Sequence, residues 1–131
     1  MKKILIGYDG TNTAKAALDV GRELAEAFDG KVYVIYSLVG GSETKVEEIK
    51  EAEEELEYAK TYYEKEKIPY ETHLLIRGMI PGEDIVQFAK DNEMDMIVVG
   101  IRRRSKVGKL MFGSTAQFVI LEAPCPVMTV K

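Results

Sequence analysis

The chain contains a single cysteine, Cys125, among 131 residues, so neither an intrachain disulfide nor a cysteine-rich metal site is open to it. That scarcity fits a reducing compartment. Histidine is as rare. His73 is the only one, and it has no serine or cysteine neighbour, so it reads as a half-buried or surface residue rather than a catalytic base. One histidine and one cysteine also supply too few ligands for a zinc centre. Long apolar runs are missing too. No stretch approaches the roughly 18 residues of a membrane span. The apolar opening Ile4-Leu5-Ile6 falls far short of the ~7–15 residues of a signal-peptide core. A cytoplasmic protein without membrane association is expected. Positive charge is not in excess either. The formal net charge is −4, so nothing global recruits nucleic acid.

What is present is ordinary globular composition, 46% hydrophobic and 31% charged. The length suits one domain over residues 1–131. Residues 3–8 form a short apolar run that meets Asp9-Gly10, which predicts a strand buried on both faces. Thr11 or Thr13 then caps a helix whose stripe is Ala14, Ala17, Leu18, Gly21, Leu24, Ala25 and Phe28, closed by Asp29-Gly30. Residues 31–38 are β-branched and aromatic, a second strand. Gly40-Gly41 breaks the chain, and Ser42 or Thr44 is expected to cap an acidic helix over 45–67. Its apolar positions (Val46, Ile49, Ala52, Leu56, Ala59, Tyr63) describe a one-sided surface helix, since the repeat stops too soon for a coiled coil.

Residues 70–77 predict a third strand, and Pro81 sits where a first-turn proline belongs, with Ile85, Val86, Phe88 and Ala89 behind it. Residues 94–99 predict the fourth strand, ending at Gly100. A basic loop follows, then a helix from Gly113 to about Glu122 with Val119 and Ile120 inward, then a fifth strand over 127–131. Strands and helices alternate throughout. This predicts a parallel sheet with helices on both faces. Ligands of such sheets bind beyond the carboxyl ends of strands, which directs attention to Asp9, Ser37, Arg77 and Gly100.

The loop from Gly100 to Gly113-Ser114-Thr115 leaves a strand and opens a helix, and carries Arg102, Arg103, Arg104, Lys106 and Lys109. A helix N-terminus presents unpaired N–H groups and a partial positive charge, a natural phosphate seat. Arginine forks suit phosphate oxygens. The same residues also suit a capped helix beside a solvated basic surface. Asp9 likewise reads either as a ribose ligand or as one half of a routine Asp-Gly turn. Gly108-Lys109 is not followed by serine or threonine, so this is no Walker loop. A receiver domain would need an acidic pair after the first strand and an aspartate after the third. A flavodoxin would need its phosphate loop where Asp9-Gly10-Thr11-Asn12 stands.

Three segments in order resemble the universal stress protein family: the opening Ile4-Leu5-Ile6-Gly7-Tyr8-Asp9-Gly10-Thr11, the glycine loop, and the close running from Gly113-Ser114 to Ala123-Pro124-Cys125-Pro126-Val127. ATP-binding members carry Gly, two residues, Gly, nine residues, then Gly with Ser or Thr. Gly100 and Gly113-Ser114 fit the first and last places, while Arg103 stands where the middle glycine belongs. The resemblance implies a three-layer α/β/α fold with a five-stranded, mainly parallel sheet in the order 3-2-1-4-5, of the adenine nucleotide alpha hydrolase-like type. It implies that Asp9 contacts ribose, that Gly7 lies near the adenosine and that Ser37 approaches adenine. Val99 and Gly100 would line base and ribose, and Gly113, Ser114 and Thr115 would hold phosphate. Arg103 either obstructs a triphosphate or binds one.

The function implied is an adenine-nucleotide-binding regulator or switch of a stress response. Its ligand would be ATP or AMP, with or without Mg2+, and it would form a homodimer through the C-terminal strand and act on an unidentified protein partner. Two alternatives stand beside it. One is a dimeric interaction module of the same fold that binds no nucleotide, with Arg103 closing the site. The other is a slow ATPase, for which only Asp9 offers itself as a base.

Overall fold

A computed structural model of the chain describes residues 1–101 and 113–131. The elements are β1 (Lys2–Gly7), α1 (Asn12–Phe28), β2 (Gly30–Leu38), a 3-10 turn (Gly41–Glu43), α2 (Val46–Lys65), β3 (Tyr70–Ile76), α3 (Pro81–Asp91), β4 (Met96–Gly100), α4 (Ser114–Glu122) and β5 (Val127–Val130). All strand pairs are parallel, and the strand order is β3-β2-β1-β4-β5. The expected three-layer fold is therefore the one observed. Central β1 shows why. Ile4, Leu5 and Ile6 are all fully buried, which an apolar run without alternation requires of a strand covered on both faces.

Two apolar layers flank the sheet. On one face, Ile4, Ile6, Val32, Val34 and Val98 meet Ala17 and Leu18 of α1 and Ala52, Ala59 and Tyr63 of α2. On the other, Leu5, Ile35, Ile97 and Val99 meet Ile85, Val86 and Phe88 of α3 and Ala116 and Val119 of α4. Each fully buried aliphatic side chain contributes about 1.5–3 kcal/mol relative to an exposed one. The sheet is thus held by its two helical layers as a whole. Tyr63 carries a polar group into the first layer and satisfies it, its hydroxyl donating to the Leu18 carbonyl oxygen at 2.7 Å. Among the described residues, no helix is long and apolar enough to cross a membrane.

Local details depart from the sequence expectations at several points. Thr11 caps α1, its hydroxyl accepting from the Ala14 N–H at 3.3 Å, and Asp29 closes that helix in the left-handed region at φ 51°. Neither Ser42 nor Thr44 caps α2, whose N-cap is Lys45. Ser42 is absorbed by the 3-10 turn, and the Thr44 hydroxyl accepts from the Gly40 N–H instead. Phe28, Val46 and Ile120 were expected inward and are exposed. Phe28 and Val46 lie at helix ends, where the stripe has run past the sheet it covers. Ile120 follows the fully buried Val119, and one step along a helix turns a side chain by ~100°. His73 is partly exposed, with Nε2 2.9 Å from Glu71 Oε1 and its ring tilted against Phe88.

Candidate functional site

The winding direction reverses between β1 and β4, the central neighbours in the strand order. At their carboxyl ends lies a cleft of about 350 Å³, within the range of small-molecule sites. Gly7, Asp9, Ser37, Val99, Gly100, Gly113, Ser114 and Thr115 all line it. Residues more than a hundred positions apart in the chain thus share one cavity. The expectation for Arg103 falls outside the described residues.

The floor of the cleft follows from the strand register. Gly7 lies opposite Ile35 of β2 on one side and Val99 of β4 on the other. A Cβ at residue 7 would sit 2.7 Å from Ile85 Cδ1 and 3.2 Å from Val99 Cγ1, so the missing side chain lets α3 close on the sheet here. Just beyond Gly7, the Asp9 carboxylate is oriented by Thr11. Its Oδ1 accepts from the Thr11 hydroxyl at 2.6 Å and from the Thr11 N–H at 3.1 Å. Tyr8 also borders the cleft and donates to Glu55 Oε2 at 3.1 Å. Burial, and then the Glu55 carboxylate, push its phenol well above the ordinary range.

Three helix N-termini face the cleft, and they are chemically unlike. That of α1 is capped by Thr11. That of α3 begins with Pro81, which has no N–H, and carries Glu83 and Asp84 in its first turn. That of α4 has Gly113 as its N-cap, no side-chain cap and no acidic residue in its first turn. Among the described residues, the α4 terminus is the one of the three with neither a side-chain cap nor an acidic residue in its first turn, so its N–H groups and positive dipole end face the cleft. Ser114 and Thr115, the first two residues of that helix, line the cleft.

Behind the β2 wall lies a buried polar cluster that the sequence reading missed. Asp84 is fully buried. Its Oδ2 accepts from the Ser37 hydroxyl at 2.6 Å, and its Oδ1 from Arg77 Nε at 2.7 Å and also from Arg77 Nη2. A buried carboxylate needs such partners to offset its lost hydration. The sequence carried only a partial signal, masked by the position of Asp84 in the first turn of α3. Asp84 stands four positions before Phe88 and one before Ile85, on the apolar stripe of α3, where an unpaired charge would be expensive. Ser37 therefore lines the cleft with its hydroxyl proton already committed. Among the described residues, no group of three or more His, Cys, Asp or Glu side chains could hold a metal ion.

The family model described as "Universal stress protein family" matches residues 1–131. A universal stress protein of Thermus aquaticus is 35% identical over 138 aligned positions, covering 99% of this chain and 98% of that one. A solved universal stress protein of Archaeoglobus fulgidus superposes with a TM-score of 0.91 at 43% identity, over 100% of this chain and 98% of its own. A second solved universal stress protein from Archaeoglobus fulgidus, in complex with dAMP, gives a TM-score of 0.85 at 39% identity with the same coverage.

Proposed function

We propose that this chain, which belongs to the universal stress protein family, binds an adenine mononucleotide in the cleft between β1 and β4 and acts as a nucleotide-dependent switch in a stress response. The single observation that carries the reading is the N-terminus of α4, which has no side-chain cap among the described residues and opens into the same cleft as the oriented Asp9 carboxylate. A phosphate and a ribose need those two kinds of group on one ligand. The dAMP held by the 39% identical relative supports the same reading.

In this reading the phosphate sits on the N–H groups and hydroxyls at Ser114 and Thr115, where each anion–dipole contact is worth about 0.3–1 kcal/mol or more when sheltered. Asp9 accepts from the ribose hydroxyls, and its orientation by Thr11 removes part of the ordering cost of binding. The base lies against the apolar wall of Ile35, Ile85 and Val99. The ligand is AMP or ATP, and the basic side chains of the 100–113 loop add to the outer phosphates where these are present. The functional unit is a homodimer paired through β5, whose partner choice changes with the nucleotide bound.

Calorimetric titration of the purified chain with AMP and with ATP tests this. Saturable binding of either, weakened at least about tenfold by Asp9→Ala, is the expected result. Absence of heat with both at millimolar ligand would overturn it and leave the interaction module of the same fold as the function.

A further inference from the structure

We propose that Ser37, positioned by Asp84, selects a purine bearing an amino group at position 6 over one bearing an oxygen or a hydrogen there. This inference rests on the adenine-nucleotide reading of the cleft and adds to it the group that reads the base.

The strand order sets the direction in which a nucleotide lies. The phosphate seat is on α4, which follows β4, and Asp9 stands at the end of β1. The far side of the cleft, across β1, is the end of β2. There the side chains of Ile35 and Ser37 share one face of the strand, since residues two apart do, and Ile35 packs with Ile85 and Val99. Tyr36 is turned to the opposite face, packed among the α1 and α2 layer, with its hydroxyl donating to the Asp9 carbonyl oxygen at 3.4 Å. Ser37 is thus the polar side chain that the base end of the cleft presents on this face.

Its hydrogen-bonding capacity is restricted. A serine hydroxyl has one proton to donate and two lone pairs. The proton is given to Asp84 Oδ2 at 2.6 Å, and Asp84 is itself fixed by the Arg77 guanidinium on Oδ1. The cluster is largely buried, with Ser37 8% and Asp84 0% exposed, which strengthens the Ser37–Asp84 bond and holds the hydroxyl proton in place. What remains to the cleft is an acceptor. A 6-amino group donates to it. A 6-oxo group would set lone pair against lone pair, and a 6-hydrogen would leave the acceptor unpaired. Ser37 is the specificity residue, and Asp84 acts through it as a positioning residue.

The test is a calorimetric comparison of AMP, inosine monophosphate and purine riboside monophosphate on the intact chain, as wild type, Ser37→Ala and Asp84→Asn. Wild type is expected to bind AMP at least about tenfold more tightly than either analogue. In Ser37→Ala the preference falls to within about threefold, through loss of AMP affinity together with relief of the penalty on the two analogues. In Asp84→Asn the amide can donate to Ser37 and release its proton toward a 6-oxo group, so inosine monophosphate gains relative to AMP. Should Asp84→Asn fail to fold, Ser37→Ala decides alone. Equal wild-type affinity for the three ligands, or a Ser37→Ala loss shared equally by all three, overturns the selector role and leaves the nucleotide reading standing. No binding of any of them overturns both.

Discussion

Gly100 lies directly against Thr13. A Cβ at residue 100 would stand 2.7 Å from the Thr13 hydroxyl oxygen, 2.8 Å from its carbonyl carbon and 2.9 Å from the Ala14 nitrogen. Two of these are backbone atoms in the first turn of α1, which cannot swing aside as a side chain would. Gly113 is different. A Cβ there meets nothing within 4 Å among the described residues, and its backbone, at φ −66° and ψ 161°, suits any residue. The two glycines flanking one loop therefore serve different ends. Gly100 lets β4 close against α1, while Gly113 leaves the α4 N–H groups open to the cleft.

Their substitutions should accordingly move stability in opposite directions. Gly100→Ala is expected to destabilise by about 1–3 kcal/mol, the usual cost of forcing atoms into a packed contact. Gly113→Asp is expected to raise stability by about 0.3 kcal/mol, because an aspartate N-cap satisfies the donors that glycine leaves open. It should also abolish AMP binding, since its carboxylate would occupy the phosphate seat. Urea denaturation and AMP titration on both variants check this. Unimpaired AMP binding by folded Gly113→Asp would remove α4 from the site.

The elements with uninterrupted patterns were the legible ones. Residues 3–8 and 94–99 are apolar enough to announce central parallel strands, and strand-end residues then had to converge at the winding reversal. Asp9, Gly100 and Ser114 were accessible in this way. The Ser37–Asp84–Arg77 cluster was not, because its bonds join β2, α3 and the turn after β3 across separations of 7 and 47 residues. Asp84 follows Pro81 and Glu83, so it looks like a first-turn acid until the sheet buries it. Phe28 and Ile120 failed for a related reason: an apolar residue on a helical stripe is buried only where a partner lies beneath it.

Alkaline pH should expose the buried phenols. Tyr63 is fully buried, and Tyr8 nearly so with Glu55 beside it. Burial, reinforced at Tyr8 by the Glu55 carboxylate, raises both phenols well above their ordinary value. In the unfolded chain they ionise near pH ~10. A raised folded value contributes stability that is fully present below that pH and is lost as pH rises above it. The urea midpoint is therefore expected to fall above about pH 10, with phenolate absorbance of the buried tyrosines appearing together with unfolding. Tyr8→Phe should flatten that fall. A midpoint indifferent to alkaline pH would show that these phenols ionise without opening the fold.

The free edge of β5 offers the last prediction. In its parallel ladder with β4, the Ile97 N–H donates to the Pro126 carbonyl and the Ile101 N–H to the Val130 carbonyl. Parallel pairing engages alternate residues, so Val127 and Thr129 direct their N–H and C=O groups away from β4. Among the described residues no further strand pairs there, and Met128 is 41% exposed on the same element. An unpaired edge of this kind is a template for a second chain. Thr129→Pro removes one outward N–H and leaves the β4 ladder untouched, because proline is tolerated where the donor faces outward. The wild type is expected to sediment as a dimer and Thr129→Pro as a folded monomer with an unchanged helical circular dichroism signal. A dimer that survives Thr129→Pro would place the interface elsewhere, and a monomeric wild type would remove the β5 pairing altogether.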